Sequence, residues 1–209
     1  MTDATRSTTP SPSGPSRRRR WVVDLVGTLV GLLIGIGLAV YSVRSGALGD
    51  GDRIGAWTTG RNFGTAHQSA RTRAVVALRG LLALPASEAR YYTASVDDGG
   101  RPLTGNCSYR LTGGTLPAQF WTITLYDAAG YLVANPANVF SVGNMTMPPA
   151  EQGRWTILVS PRRQPGRWLP TGGGTSRFEL TLRAYLPADG GVGNLTAAQL
   201  PTIRQETCA

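Results

Sequence analysis

Phe120-Trp121-Thr122-Ile123-Thr124-Leu125-Tyr126 is the stretch on which the fold turns. Trp121, Ile123 and Leu125 fall on one side of an extended chain, and Thr122, Thr124 and Tyr126 on the other, so the period is two rather than 3.6. Aromatic and β-branched side chains of this kind suit a pleated surface with one face buried. The tetrad Asp127-Ala128-Ala129-Gly130 that follows has Asp first and Gly last, the type I turn preference. Tyr131–Ala134 is therefore expected to return as the next strand.

The same alternation extends in both directions. Arg90–Val96 reads as a strand ending in Asp97-Asp98-Gly99-Gly100, and Asn106–Leu111 as another ending in Thr112-Gly113-Gly114. Arg154–Ser160 places Trp155, Ile157 and Val159 on one face. Arg177–Leu186 sets Phe178, Leu180, Leu182 and Ala184 against Arg177, Glu179, Thr181, Arg183 and Tyr185. Upstream, the chain has loop character from Trp57 to about Ala66. Residues 67–84 then carry Ala70, Ala74, Ala77, Leu78, Leu81 and Leu82 at helical spacing, closed by Pro85. Many short strands between Gly/Pro turns predict a mainly β fold, an antiparallel β-sandwich of jelly-roll type with one flanking helix.

The N-terminal region is of another kind. Residues 1–20 are rich in Ser, Thr, Pro and Arg and are expected to be a disordered basic tail. Nineteen residues without a formal charge, Leu25 to Val43, follow the block Arg17-Arg18-Arg19-Arg20. About 20 apolar residues cross the ~30 Å hydrocarbon core as a helix, and an arginine cluster stays on the cytoplasmic side. Residues 21–43 are thus expected to be a single transmembrane helix, 44–56 a juxtamembrane linker, and 57–209 an extracytoplasmic domain. Trp21 and Tyr41 sit near the two ends of the apolar run, where amphipathic rings favour the interface, and Asp24 lies within its first turn. Two rival readings involve cleavage: Ser45-Gly46-Ala47 could be cut as in a secretory signal, and Arg18-Arg19-Arg20-Trp21-Val22 supplies the paired arginines of twin-arginine export. The apolar core exceeds the roughly 7–15 residues of a secretory signal, which favours a retained anchor. Gly27, Gly31, Gly35 and Ala39 recur every four residues, a spacing that lets two helices approach closely and offers a homodimer interface.

The chain holds 21 arginines and no lysine, and its formal net charge is +9. Beyond residue 44 there are fifteen arginines against ten acids. These arginines are scattered, apart from Arg162, Arg163 and Arg167, which reads against nucleic acid as a partner. Both cysteines, Cys107 and Cys208, fall on the expected outer side, where a disulfide can persist. Pairing would close a loop of about 100 residues, worth up to ~4–5 kcal/mol. Two separate thiols fit the spacing as well.

Several segments in order carry a likeness: Cys107-Ser108-Tyr109-Arg110-Leu111, Phe120–Asp127, Asn135-Pro136-Ala137-Asn138, Ser160-Pro161, Gln164-Pro165-Gly166-Arg167-Trp168-Leu169-Pro170 and Phe178-Glu179-Leu180-Thr181-Leu182-Arg183. Together they resemble the bacterial family catalogued as domain of unknown function 1214, in its short form with one N-terminal membrane helix. The resemblance spans roughly residues 55–205 and implies a jelly-roll-like sandwich in a bacterial envelope protein. It implies no activity. Arg167 stands where the resemblance would lead one to expect Asn.

Chemical motifs are sparse. His67 is the single histidine, and one His with two Cys does not make a closed N/S zinc site, so neither metal nor cofactor is expected. No Gly-x-Ser-x-Gly elbow and no phosphate loop occur. Paired carboxylates could hydrolyse glycosides, but Asp97, Asp98 and Asp127 fit turn positions, while Glu88, Glu151 and Glu179 complete the candidates. Asn106, Asn144 and Asn194 fit the Asn-x-Ser/Thr pattern, a coincidence in a bacterial envelope. A set of flat and amide side chains is the better candidate ligand site: Tyr109, Arg110, Tyr126, Asn135, Asn138, Gln164 and Trp168. The same residues could equally pack a core and shape turns. The expected function is a ligand-binding or interaction module of the cell envelope, anchored in the inner membrane with its N-terminus inside. The alternative is a hydrolase of envelope glycans or esters working through carboxylates.

Overall fold

A computed structural model describes residues 17–44, 51–60, 64–78, 84–190 and 193–208; the side chains of 17–19, 43, 44, 75 and 78 are outside that description. The expected basic tail is thus outside it up to residue 16. The chain divides into two compact units, residues 1–45 and 46–209. In the first, α1 (Arg17–Arg44) is helical throughout. Its segment Arg20–Ser42 is 23 residues long, has a mean hydropathy of 2.3, and buries nothing in its own unit.

The second unit is mainly β, with two sheets sharing one core. Its elements are β1 (Gly51–Ile54), β2 (Trp57–Gly60), α2 (Ala70–Leu78), β3 (Ala89–Ala94), β4 (Cys107–Gly114), β5 (Ala118–Asp127), β6 (Ser141–Gly143), β7 (Arg154–Ser160), β8 (Trp168–Pro170), β9 (Phe178–Pro187) and β10 (Thr202–Cys208). One sheet runs β1-β2-β3-β9-β5-β6 and the other β10-β4-β7-β8. The alternation in β5 works as read: Trp121, Ile123 and Leu125 are buried between the sheets. Tyr92 and Ala94 of β3 and Phe178, Leu180 and Leu182 of β9 join them from the same sheet, facing Tyr109, Leu111, Ile157, Leu169 and Ile203 of the other. Trp121 stacks on Trp155 at 4.5 Å between ring centroids, and Tyr109 meets Phe178 edge-on at 5.7 Å, so both pairs bridge the sheets. Opposite Trp155, Gly113 leaves room for the indole: a Cβ there would lie 2.2 Å from the ring.

Several elements differ from the expectation, for local reasons. Residues 51–60, placed in the linker and a loop, form the hairpin β1–β2 instead, turning at Gly55 with φ +64 in a two-residue loop. Trp57 on β2 is buried and its indole N–H donates to the carbonyl of Pro201 at 2.7 Å. The helix expected over 67–84 begins at Ala70, where the Ser69 hydroxyl accepts the Thr72 N–H at 3.1 Å and caps its first turn; residues 79–83 lie outside the described residues. Val76 of α2 forms a small second cluster with Ala89 and Tyr91. Tyr131–Ala134 is not a strand: a single bridge joins Leu132 to Tyr126. Beyond it the Asn135 side chain donates to the carbonyls of Val133 and Val139 and accepts the Val139 N–H, occupying groups that a ladder would need. The small sheet is also mixed, since β8 runs parallel to β7 at its edge.

β10 is the other edge. It pairs with β4 in a register that sets Cys208 opposite Cys107, and the two are joined in a disulfide. Asp98 grips its far end, donating its backbone N–H to the Ile203 carbonyl and accepting the Ile203 N–H on its carboxylate, both at 2.9 Å.

Candidate functional site

The seven residues singled out from sequence are held by different parts of the domain. Tyr109 lies fully in the core, its hydroxyl accepting the Thr104 N–H at 2.8 Å. Arg110 is exposed on β4 and pairs with Glu206 of β10. Tyr126, on β5, accepts a hydrogen bond from Arg183 at 2.7 Å, and that guanidinium lies 5.4 Å over its ring. Asn135 is the buried loop clamp already described, and Asn138, at φ +52, completes its turn. Trp168 donates its indole N–H to the Ser160 carbonyl and hydroxyl, with Arg163 5.6 Å over the ring. Gln164 lines a shallow cleft of about 300 Å³ with Asn106, Ser108, Pro161, Arg162, Thr207 and Cys208, and the other six do not line it.

Four of the six acidic candidates, Asp97, Asp98, Asp127 and Glu151, are engaged in turns or ion pairs. Asp97 accepts the backbone N–H groups of Gly99 and Arg101 and pairs with the Arg101 guanidinium. Asp127 accepts from Ala129 and Tyr131 across its turn, and Glu151 pairs with Arg167. Among the described residues no three His, Cys, Asp or Glu side chains come together. Asn144 is buried, accepting the Trp121 N–H and donating to the Gln119 carbonyl, so it continues the sheet edge.

A second cleft, of about 340 Å³, was not flagged from sequence. It lies where β3 and β9 meet Pro117, residues 187–189, residues 193–195 and Gln199. Arg90, Tyr92 and Ala94 alternate on β3 toward the core, so Arg90 is the next pleat outward on the apolar side. It is only 6% exposed. Its guanidinium donates through Nε and Nη2 to the Gly193 carbonyl at 3.2 and 2.7 Å. No carboxylate of the described residues pairs with it within salt-bridge distance. Asp189 accepts the Gly193 N–H at 3.1 Å, so one glycine is held from both ends by opposite charges. Tyr92 accepts the Leu195 N–H at 2.8 Å, and burial pushes its phenol above the usual range. Asn194 donates to Asp52 at 3.2 Å, while its Oδ1 is buried without a hydrogen-bond partner. The one sequence signal for this cleft was an arginine in step with Tyr92 and Ala94.

The second unit is therefore a two-sheet β domain with a charged cleft at one end of its core. Residues 88–189 match, and belong to, the family described as "Protein of unknown function (DUF1214)". The chain is similar to the crystal structure of the VPA0106 protein from Vibrio parahaemolyticus, with a TM-score of 0.56 and 21% identity over 95% of this chain and 48% of that one. It spans about half the length of that structure, and the likeness shows the fold alone. An uncharacterized protein from Burkholderia cenocepacia is more distant, with a TM-score of 0.41 and 17% identity over 56% of this chain and 29% of that one. Among curated proteins none matches the chain.

Proposed function

We propose that the chain is a single-pass inner-membrane protein, N-terminus inside, whose β domain is a jelly-roll-like binding module of the cell envelope. The observation that carries this is the 23-residue apolar segment of α1, which buries none of its surface within its own unit. Water would not tolerate that much exposed apolar surface, whereas a bilayer solvates it. The arginines at its start favour the cytoplasmic side for that end. The Cys107–Cys208 disulfide suits an oxidising compartment for the rest. Gly27, Gly31 and Gly35 give the helix a small-residue stripe for homodimerisation. A carboxylate hydrolase is the weaker reading, because Asp97, Asp98, Asp127 and Glu151 are each held in turns or ion pairs.

The test is a chain tagged at both ends, expressed in a bacterial host and challenged with protease from the outer side of the membrane. One carbonate-resistant polypeptide bearing both tags, with only the C-terminal tag accessible, is the expected result. Loss of the N-terminal tag from the mature protein would mean a cleaved signal and would sink the anchor.

A further inference from the structure

We infer that the Cys107–Cys208 disulfide is an exchange site for a small thiol that carries a carboxylate. The inference goes beyond the binding-module reading and does not need the anchor. The two sulfurs stand in different surroundings. Cys107 is 5% exposed, on β4 against the core, whereas Cys208 is exposed on the edge strand β10. Cys208 also lines the shallow cleft of about 300 Å³ that holds Gln164, and Cys107 does not. A thiolate breaks a disulfide by bonding to one sulfur and expelling the other, and access decides which is attacked. Here that sulfur belongs to Cys208. Exposed disulfides are the ones open to exchange, in contrast to those sealed in a core.

The step balances with the thiol as its one co-reactant. The incoming thiolate bonds to Cys208 Sγ, the bond between the two sulfurs breaks, and its electron pair leaves on Cys107 Sγ. The products are a mixed disulfide on Cys208 and a Cys107 thiolate, and attack of that thiolate on Cys208 Sγ reverses the reaction. The Thr104 hydroxyl donates to Cys107 Sγ at 3.3 Å, which favours the departing charge. The end of β10 can move alone. Its register on β4 shifts between Gln205 and Thr207, while Asp98 holds Ile203 on the near side of that irregularity. Thr207 and Cys208 can therefore part from β4 while Thr202–Gln205 stay paired. The cleft lining sets the class of thiol. Arg162 is its one charged residue, and the guanidinium makes no ion pair with a described residue. Ser108, Gln164 and Thr207 add hydroxyl and amide groups. Such a lining suits a carboxylate, and the volume suits a small molecule.

The experiment treats the oxidised full chain in detergent micelles with 3-mercaptopropionate, 2-mercaptoethanol or cysteamine, which are anionic, neutral and cationic. Samples are quenched in acid at intervals, and the adduct is located by peptide mass spectrometry. Each rate is divided by that thiol's rate with a small soluble disulfide, which removes differences in intrinsic nucleophilicity. The folded chain should gain the mass of one thiol, on Cys208. On the corrected scale 3-mercaptopropionate should lead 2-mercaptoethanol by about threefold, the size expected of an exposed ion pair, with cysteamine slowest. Arg162→Gln should level the three rates, and added salt should do the same to wild type. An adduct on Cys107 overturns the inference, as does an adduct that forms only once urea has unfolded the chain. So does a carboxylate preference that is missing from wild type or unchanged in Arg162→Gln.

Discussion

Replacing Asp97 by asparagine probes the turn that joins β3 to β4. Asp97 Oδ1 accepts the N–H groups of Gly99 and Arg101, each at 2.9 Å, and Oδ2 accepts Arg101 Nε at 2.8 Å and pairs with Nη2 at 2.6 Å. An asparagine oxygen can keep the two backbone bonds. Its NH₂ group would then face the Arg101 donors, so the loss falls on the Oδ2 side. Hydrogen bonds to charged groups contribute about 1.5–3 kcal/mol. The Arg101 side chain is 59% exposed and recovers part of this in water, so about 2 kcal/mol is expected at pH 7. The pH dependence gives a second readout. Burial pushes the Asp97 carboxyl up, but the Arg101 side chain and the Arg101 and Gly99 N–H groups outweigh it and hold it below its ordinary value of 3.8. A depressed carboxyl contributes stability above that ordinary value and loses it as pH falls through the folded one. The difference between wild type and Asp97→Asn should therefore be full at neutral pH and shrink below pH 3.8. Urea unfolding of the full chain in mild detergent, followed by fluorescence of the buried Trp57, Trp121 and Trp155, measures both. A neutral-pH difference under about 0.5 kcal/mol, or one that persists undiminished in acid, would refute the reasoning.

Other perturbations act elsewhere. The double variant Cys107→Ser/Cys208→Ser frees a chain separation of 101 residues, and the chain-entropy model sets the loss at up to about 4.7 kcal/mol; a melting temperature unchanged from the oxidised protein would contradict that. Gly113→Ala drives a methyl into Trp155 and should cost about 1–3 kcal/mol, with the Trp121–Trp155 stack disturbed in near-ultraviolet circular dichroism. Tyr92 has its phenol raised by burial above 10.0, so its contribution is intact below that pH and falls as pH rises through the folded value. Tyr92→Phe should lose the Leu195 bond yet be less sensitive than wild type above pH 10.0, readable in alkaline thermal melts.

Strands with a strongly two-sided pattern were legible in the sequence. β5, β7 and β9 each bury alternate large apolar residues against the other sheet, and period two survives because their faces meet different surroundings. The edge strands were not. β10 buries only Ile203 and otherwise carries Thr, Arg, Gln and Glu, since an edge needs one anchor and the disulfide supplies another. β8 is three residues long, too short for a period. The aromatic and amide set was visible as chemistry, but Tyr109 and Asn135 serve the core and a loop, which their types alone do not reveal. Arg90 was read only as the start of a strand, although its step with Tyr92 and Ala94 puts it on an apolar face. Asn194 Oδ1 could not be foreseen, because its isolation depends on residues 193–195 lying against β3, about 100 positions earlier.

The Trp57–Pro201 bond spans 144 positions. Ribosomes deliver a chain from its N-terminus, so the indole, the open flank of β4 and Cys107 all exist before the segment that completes them. Until residues 201–208 arrive, the small sheet presents an unpaired edge, the kind of template that invites aggregation. Completion is therefore late and all at once, as expected for long-range strand pairing. A chain interrupted before residue 201 leaves β4 without its edge partner, with Cys107 available to the wrong thiol.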